Sequence, residues 1–253
     1  MSITREQAEN IFRQIMATHP LPCRQTLFDT GDDYKNRTGK PPPAPAFFTA
    51  GAIYVILGNV RDMDSGIFLV AHEVGHRIFD PGEIVLCIGQ NLCLQKEMTR
   101  RGLSPHHSMG GAQNIYSDIV VNILNWNDPG YQARFGDAIE KASLYLYGLD
   151  GSTRNHLLQN PLEGMKRGMI NFFMGANWFR NHDPAAFQQI AAALSSDANA
   201  KDMWDRVEHL VARKTFALSD IQGYYVYTIP LMLSMNRLFK RGFSAGGVLP
   251  GRI

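Results

Sequence analysis

The sequence predicts a mainly α-helical fold carrying a small β-sheet. From residue 64 to the end, apolar residues recur at helical spacing almost without a break. One short run, Ala52-Ile53-Tyr54-Val55-Ile56-Leu57, has the β-branched and aromatic content of a buried strand and is bounded by Gly51 and by Gly58-Asn59. The N-terminal stretch, residues 3 to 17, spaces Ile3, Ala8, Ile11, Phe12 and Ile15 along one helix face and stops before His19-Pro20.

Residues 30 to 46 contain Gly31-Asp32-Asp33, Thr38-Gly39-Lys40 and Pro41-Pro42-Pro43-Ala44-Pro45, and they read as a proline-rich loop or strap. After the strand at 52 to 57, helices are expected at about 65 to 79, 83 to 101, 110 to 126, 131 to 147, 154 to 180, 184 to 194, 200 to 213 and 219 to 240. Pro230 lies inside the last of these, where its ring and missing N–H should kink or divide it. Residues 242 to 253 are glycine-rich and read as a tail. No repeat of fixed period interrupts this pattern, so one domain over residues 1 to 253 is the expectation.

Composition excludes more than it names. With 45% apolar and 19% charged residues, the chain has enough apolar surface to fold and is not a disordered polymer. A net charge of +2, with no basic block, argues against a nucleic-acid surface. The N-terminus lacks the layout of a secretory signal, and no apolar run approaches the roughly 18 residues of a membrane span. Cys23, Cys87 and Cys93 form neither a disulfide framework nor a zinc-knuckle spacing, which suits a reducing cytoplasm.

The chemistry concentrates in Gly66-Ile67-Phe68-Leu69-Val70-Ala71-His72-Glu73-Val74-Gly75-His76-Arg77-Ile78-Phe79. Histidines four apart share a helix face, so both imidazoles can reach one ion. Glu73 projects ~100° round the same helix, beside such an ion, where it can take a proton from a bound water. The bland alternative is a surface helix with two incidental histidines. Against it, every other position from 67 to 79 except Arg77 is apolar or glycine, the mark of an enclosed helix. Buried imidazoles and a carboxylate need partners, and a divalent ion with its water is one arrangement that satisfies all three together.

A catalytic zinc takes three protein ligands and keeps a position open for water. In the helix at 110 to 126, Gly111, Asn114, Asp118, Asn122 and Asn125 fall within about 40° of one line, and most of the rest is apolar. A solvated face would carry Glu, Lys or Arg, whereas Asn is a poor helix former with no reason to recur there. Asp118 is therefore the candidate third ligand, with Asn114 and Asn122 one turn to either side to orient it or a histidine. His106 and His107, in the loop just before this helix, compete for the same place.

His72-Glu73-Val74-Gly75-His76 resembles the active-site helix of the zincin metallopeptidases, and Asn114-Ile115-Tyr116-Ser117-Asp118-Ile119-Val120-Val121-Asn122 resembles the second helix of some members. Gly111-Ala112 and Ser117-Asp118-Ile119 are similar to the thermolysin-like group, although Asn114 stands where that group has a glutamate ligand. The pairing of a histidine helix with an Asn-x-x-x-Asp-x-x-x-Asn helix is more similar to the metallopeptidase domain found beside von Willebrand A domains in bacterial systems with MoxR-type ATPases. The resemblance covers residues 66 to 80 and 111 to 124. It implies a zincin-like core, a zinc ion on His72, His76 and Asp118, and peptide hydrolysis with Glu73 as general base. It also implies that the strand at 52 to 57 is a substrate-facing edge, able to hold an extended peptide or protein substrate by backbone pairing.

An oxyanion donor is expected from His106, His107, Tyr224, Tyr225 or Tyr227, the tyrosines having simple core packing as their alternative role. Two rival functions stand beside hydrolysis. One is a catalytically silent, metal-stabilised helical module that docks a regulatory protein partner such as an ATPase. The other is a metal-free helical interaction protein in which Pro41 to Pro45 is a ligand for an aromatic groove.

Overall fold

The computed structural model describes residues 3–18, 23–49, 52–79, 92, 95–100, 102, 109–213 and 229–244. These residues are mainly helical with one three-stranded mixed sheet, the fold class the sequence predicts. Contacts group the chain into two compact units, the first built on Met1–Ile78 and Asn125–Leu146, the second on Phe79–Leu124 and Tyr147–Gly247. Among the described residues no helix is long and apolar enough to cross a membrane.

In the first unit, α1 (Arg5–Thr18) buries Ala8, Ile11 and Ile15, a single apolar stripe at helical spacing. The sheet holds β1 (Arg24–Phe28), β2 (Ala46–Thr49) and β3 (Ala52–Ile56) in the order β1-β3-β2. β3 pairs in parallel with β1, Thr26 opposite Tyr54, and antiparallel with β2, Phe47 opposite Tyr54. One face is aromatic: Tyr54 stacks on Phe47 with centroids 5.1 Å apart and on Phe28 at 6.3 Å. Tyr34, from α2 (Gly31–Thr38), meets Phe28 and Phe47 edge-on at 5.0 and 5.5 Å. Leu27, Ile53 and Val55 alternate onto the opposite face and are buried.

Two segments differ from what the sequence predicts. Residues 31 to 38 are helical rather than looped, because the Thr30 side chain accepts from the Asp33 N–H at 3.1 Å, Asp32 and Asp33 sit in the first turn, and Gly39 closes the helix at φ 76°. The proline run begins only after that cap. The strand read at 52 to 57 is not an edge: β3 is the central strand, and both of its sides are paired.

From β3 a 3-10 turn at Leu57–Asn59 leads to α3 (Met63–Phe79). Asp62 caps α3 by accepting from the Ser65 N–H at 2.9 Å. Burial pushes its carboxyl up, but the Ser65 N–H and hydroxyl together with Arg61 outweigh burial and hold it below the usual carboxylate range. Gly66 is closely packed, since a Cβ there would lie 3.1 Å from Ile3 Cδ1 and 3.2 Å from Ile11 Cδ1, and those side-chain ends would have to shift by a few tenths of an ångström to admit it. α4 (Met109–Asn127) and α5 (Pro129–Leu146) are separated at Asp128, whose carboxylate accepts from the Tyr131 N–H at 2.9 Å with Pro129 opening the next helix.

The second unit contains α6 (Gly151–Gln159), α7 (Pro161–Arg167), α8 (Met169–His182), α9 (Pro184–Leu194), α10 (Ala198–Arg213) and α11 (Ile229–Lys240), with residues 95–100 also helical. The single helix expected over 154 to 180 is thus three. Pro161 disfavours the α conformation at Asn160, which adopts φ −135° and ψ 61°, and Gly168 is extended. Phe172, Phe173, Phe187 and Trp204 pack together as its aromatic core. Pro230 is the second residue of α11, so the kink or division expected there falls at the edge of the described stretch. Residues 219 to 228 lie outside the described residues. The stretch read as a tail begins docked: Phe243 is buried, and the Ser244 N–H donates to the Lys166 carbonyl at 2.8 Å.

Asp197 joins the start of α10 to the end of α11. It accepts from the Asn199 and Ala200 N–H groups at 3.0 and 3.1 Å and pairs with Arg241 at 2.6 Å. Arg241 holds its carboxyl down at about 2, aided by the two N–H groups and opposed by burial. A depressed folded-state pKa gives stability that is present above the unfolded value of roughly 3.9 and lost as pH falls through the folded one. Urea unfolding of wild type should therefore show stability declining between about pH 4 and the folded value near 2, and Asp197→Asn should flatten that decline.

Candidate metal centre

The centre is built from two largely apolar helices that each carry one polar line. On α3, Phe68, Leu69, Val70, Ala71 and Val74 are buried, so His72, Glu73 and His76 interrupt an enclosed surface, as the sequence implies. The two histidines converge: their Nε2 atoms are 3.0 Å apart, and the rings meet edge to face with centroids at 4.5 Å. The Phe68 ring lies nearly parallel to His72 at 6.2 Å, backing the imidazole from the preceding turn. Glu73 is buried at 6% exposure, so a carboxylate sits out of bulk water immediately beside the first histidine.

On α4, Ile119, Val120, Val121, Ile123, Leu124 and Trp126 are buried. The Asn-Asp stripe is not a solvated face, because Asn122 and Asn125 are buried too. Each amide has a specific use. The Asn125 Nδ2 donates to the carbonyl of Ala71 at 2.8 Å, fastening α4 to α3 at the residue before His72. The Asn122 Nδ2 donates to the Tyr147 hydroxyl at 2.7 Å. Asp118, one turn before Asn122 and two before Asn125, lies on that same line of α4. Its carboxylate and the two imidazoles bring their ligand atoms within 4.8 Å of one another.

The donor set fits a small divalent ion. Zinc bonds of ~2.0–2.2 Å in tetrahedral geometry place ligand atoms roughly 3.3–3.5 Å apart, so the histidine nitrogens need only a small separation to share one ion. Two imidazoles with one carboxylate suit zinc better than calcium or magnesium, which prefer all-oxygen shells. Among the described residues no other trio of His, Cys, Asp or Glu converges in this way.

No family model, curated protein or solved structure matches this chain. The resemblance drawn from the two helical motifs accordingly rests on their residues and on the convergence just described.

Of the residues singled out in the sequence, His72, His76 and Asp118 are brought together, and Glu73, which follows His72 in α3, is buried. Asn122 turns its amide to Tyr147, a residue the sequence reading passed over. The Asn114 side chain, His106, His107, Tyr224, Tyr225 and Tyr227 lie outside the described residues. Tyr147 follows the last turn of α5, where an aromatic side chain reads as ordinary core, and nothing in its local sequence marks it. Burial pushes its phenol well above the ordinary range; the Asp118 carboxylate pushes the same way, and the Asn122 hydrogen bond opposes them.

The Asn125 contact is testable by itself. Asn125→Ala removes a buried donor and leaves the Ala71 carbonyl with one bond fewer, so urea denaturation should register a loss of about 1–3 kcal/mol. A loss within a few tenths of zero would mean that the contact does not hold the two helices together.

Proposed function

We propose that this chain is a zinc-dependent hydrolase that cleaves peptide bonds in peptide or protein substrates. One observation carries the reading: His72, His76 and Asp118 present two imidazole nitrogens and a carboxylate oxygen to a common point, with the buried Glu73 next to the first of them. Three protein donors leave one zinc position open for water, the arrangement of catalytic rather than structural sites. When bound, the ion supplies Lewis acidity and brings the acidity of its water close to neutral pH.

The chain's own residues do the rest. His72 and His76, one turn apart on α3, would hold the ion through their imidazole nitrogens, and Asp118 would add a carboxylate oxygen. Glu73 projects ~100° away from His72 round the helix, which frees it from ligation and lets it act as general base. It would take a proton from the attacking water as the C–O bond forms and return it to the departing amine as the peptide C–N bond then breaks. An extended substrate would pair with an edge strand, β1 or β2, because β3 is already paired on both sides. Among the described residues Cys23 forms no disulfide, and the proposal places the chain in a reducing cytoplasm.

Metal analysis by mass spectrometry should find about one zinc per chain in wild type and strongly reduced zinc in His72→Ala and Asp118→Ala, as expected for a three-ligand site. Glu73→Gln should keep its zinc and lose roughly 10²–10⁴-fold in cleavage of a quenched-fluorescent peptide library, the usual worth of a general base. Zinc retained together with undiminished function in Glu73→Gln would favour the silent, metal-stabilised module that docks a regulatory partner. A wild type without metal would remove the hydrolase reading.

A further inference from the structure

The proline run between α2 and β2 takes no part in the proposed hydrolysis, yet it is fastened at both ends. On one side Gly39 caps α2 at φ 76°, and the Lys40 N–H donates to the Thr38 hydroxyl at 3.4 Å. On the other, the Pro45 carbonyl accepts from the Ile56 N–H at 2.8 Å, which carries the β2–β3 ladder one residue beyond Ala46. Between these anchors Pro42 rests on α2, its Cγ 3.5 Å from where a Cβ on Gly31 would stand. Exposure follows from this fastening: Pro45 is buried, Pro42 and Ala44 are half-buried, and Pro41 and Pro43 face solvent.

Covalent geometry fixes the backbone between the anchors. Each proline ring holds φ near about −65°, and Lys40, Pro41 and Pro42, each followed by a proline, are confined to extended ψ. Pro41 and Pro42 are thereby held in polyproline II geometry. The carbonyls of Pro41, Pro42, Pro43 and Ala44 accept no backbone N–H among the described residues, so they are acceptors without a backbone partner. The same end of α2 is basic: Lys35, Arg37 and Lys40 are exposed, and Arg37 is answered by Asp33 at 3.0 Å.

We propose that residues 40 to 44 are a docking ligand for a separate protein domain with an aromatic-lined groove and an acidic rim. Aromatic rings in that groove take the exposed Pro41 and Pro43, a ring N–H or O–H donates to one of the carbonyls, and rim carboxylates face Lys35 and Lys40. A segment already ordered by its anchors and its rings loses little freedom on binding, which is what proline supplies to such contacts. The surface shares no residue with the metal centre and needs no ion, so it stands beside the hydrolase reading and does not depend on it.

The test titrates the purified full chain against a panel of purified SH3, WW and EVH1 domains with acidic groove rims, with affinity read by calorimetry. At least one domain should bind, and Pro41→Ala and Pro43→Ala should each weaken that binding roughly tenfold, the cost of losing a central contact. Lys40→Glu should weaken it as well and reduce its dependence on salt; it also serves if a proline variant does not fold. Zinc content should stay at the wild-type level in all three variants. No binding by any member of the panel would overturn the proposal, as would binding that both proline replacements leave unchanged. Neither result bears on the metal centre, and a wild type without zinc would leave this surface untouched.

Discussion

The buried amide of Asn125, donating to the carbonyl of Ala71, sets the terms for everything else at the centre. Both helices at that contact are sheathed in apolar side chains, so an unmade polar bond there has no water to compensate it. The bond therefore fixes which residues of α4 face α3. Because a helix is stiff over two turns, fixing Asn125 also fixes the line on which Asp118 stands. At the other end of the contact, Ala71 immediately precedes His72. One hydrogen bond thus sets α3 and α4 in register at the residue before His72.

Once that alignment is made, electrostatics narrows what can satisfy it. Two imidazole nitrogens 3.0 Å apart and a nearby carboxylate, all half-buried, form a concentrated set of electron-pair donors. A shared cation meets all three needs at once, and it does so with the ligand types and separations that zinc prefers. Glu73 is excluded from the set by helix geometry rather than by chemistry. In the proposed hydrolysis that exclusion would make it available as a base, and its burial would shield the proton it takes from solvent.

Most of this centre was legible in the sequence because helix periodicity is a strong signal where a segment is long and enclosed. The histidine pair needed only its four-residue spacing, and the repeated asparagines betrayed a buried polar line because their helix propensity is poor. What escaped had a shorter reach or a stronger competitor. β1 and β2 have five and four residues, too few to display a pattern, and their pairing with β3 is what makes β3 central. The helix at 31–38 was hidden by the prolines that follow it, and the breaks at Asn160 and Gly168 by the apolar periodicity that runs across them. Tyr147 could not be found from its neighbours in sequence, since its meaning comes from Asn122, twenty-five residues earlier in the chain.

X-ray absorption at the zinc edge of the purified protein tests the central claim most directly, because it reads the ligand shell without relying on activity. The account predicts two imidazole nitrogens and two oxygen donors, one from Asp118 and one from water, all at about 2.0–2.2 Å. The imidazole signature should be lost in a doubly substituted His72→Ala, His76→Ala protein. A shell of oxygens alone, a shell of thiolates, or a zinc environment unchanged by those substitutions would contradict it.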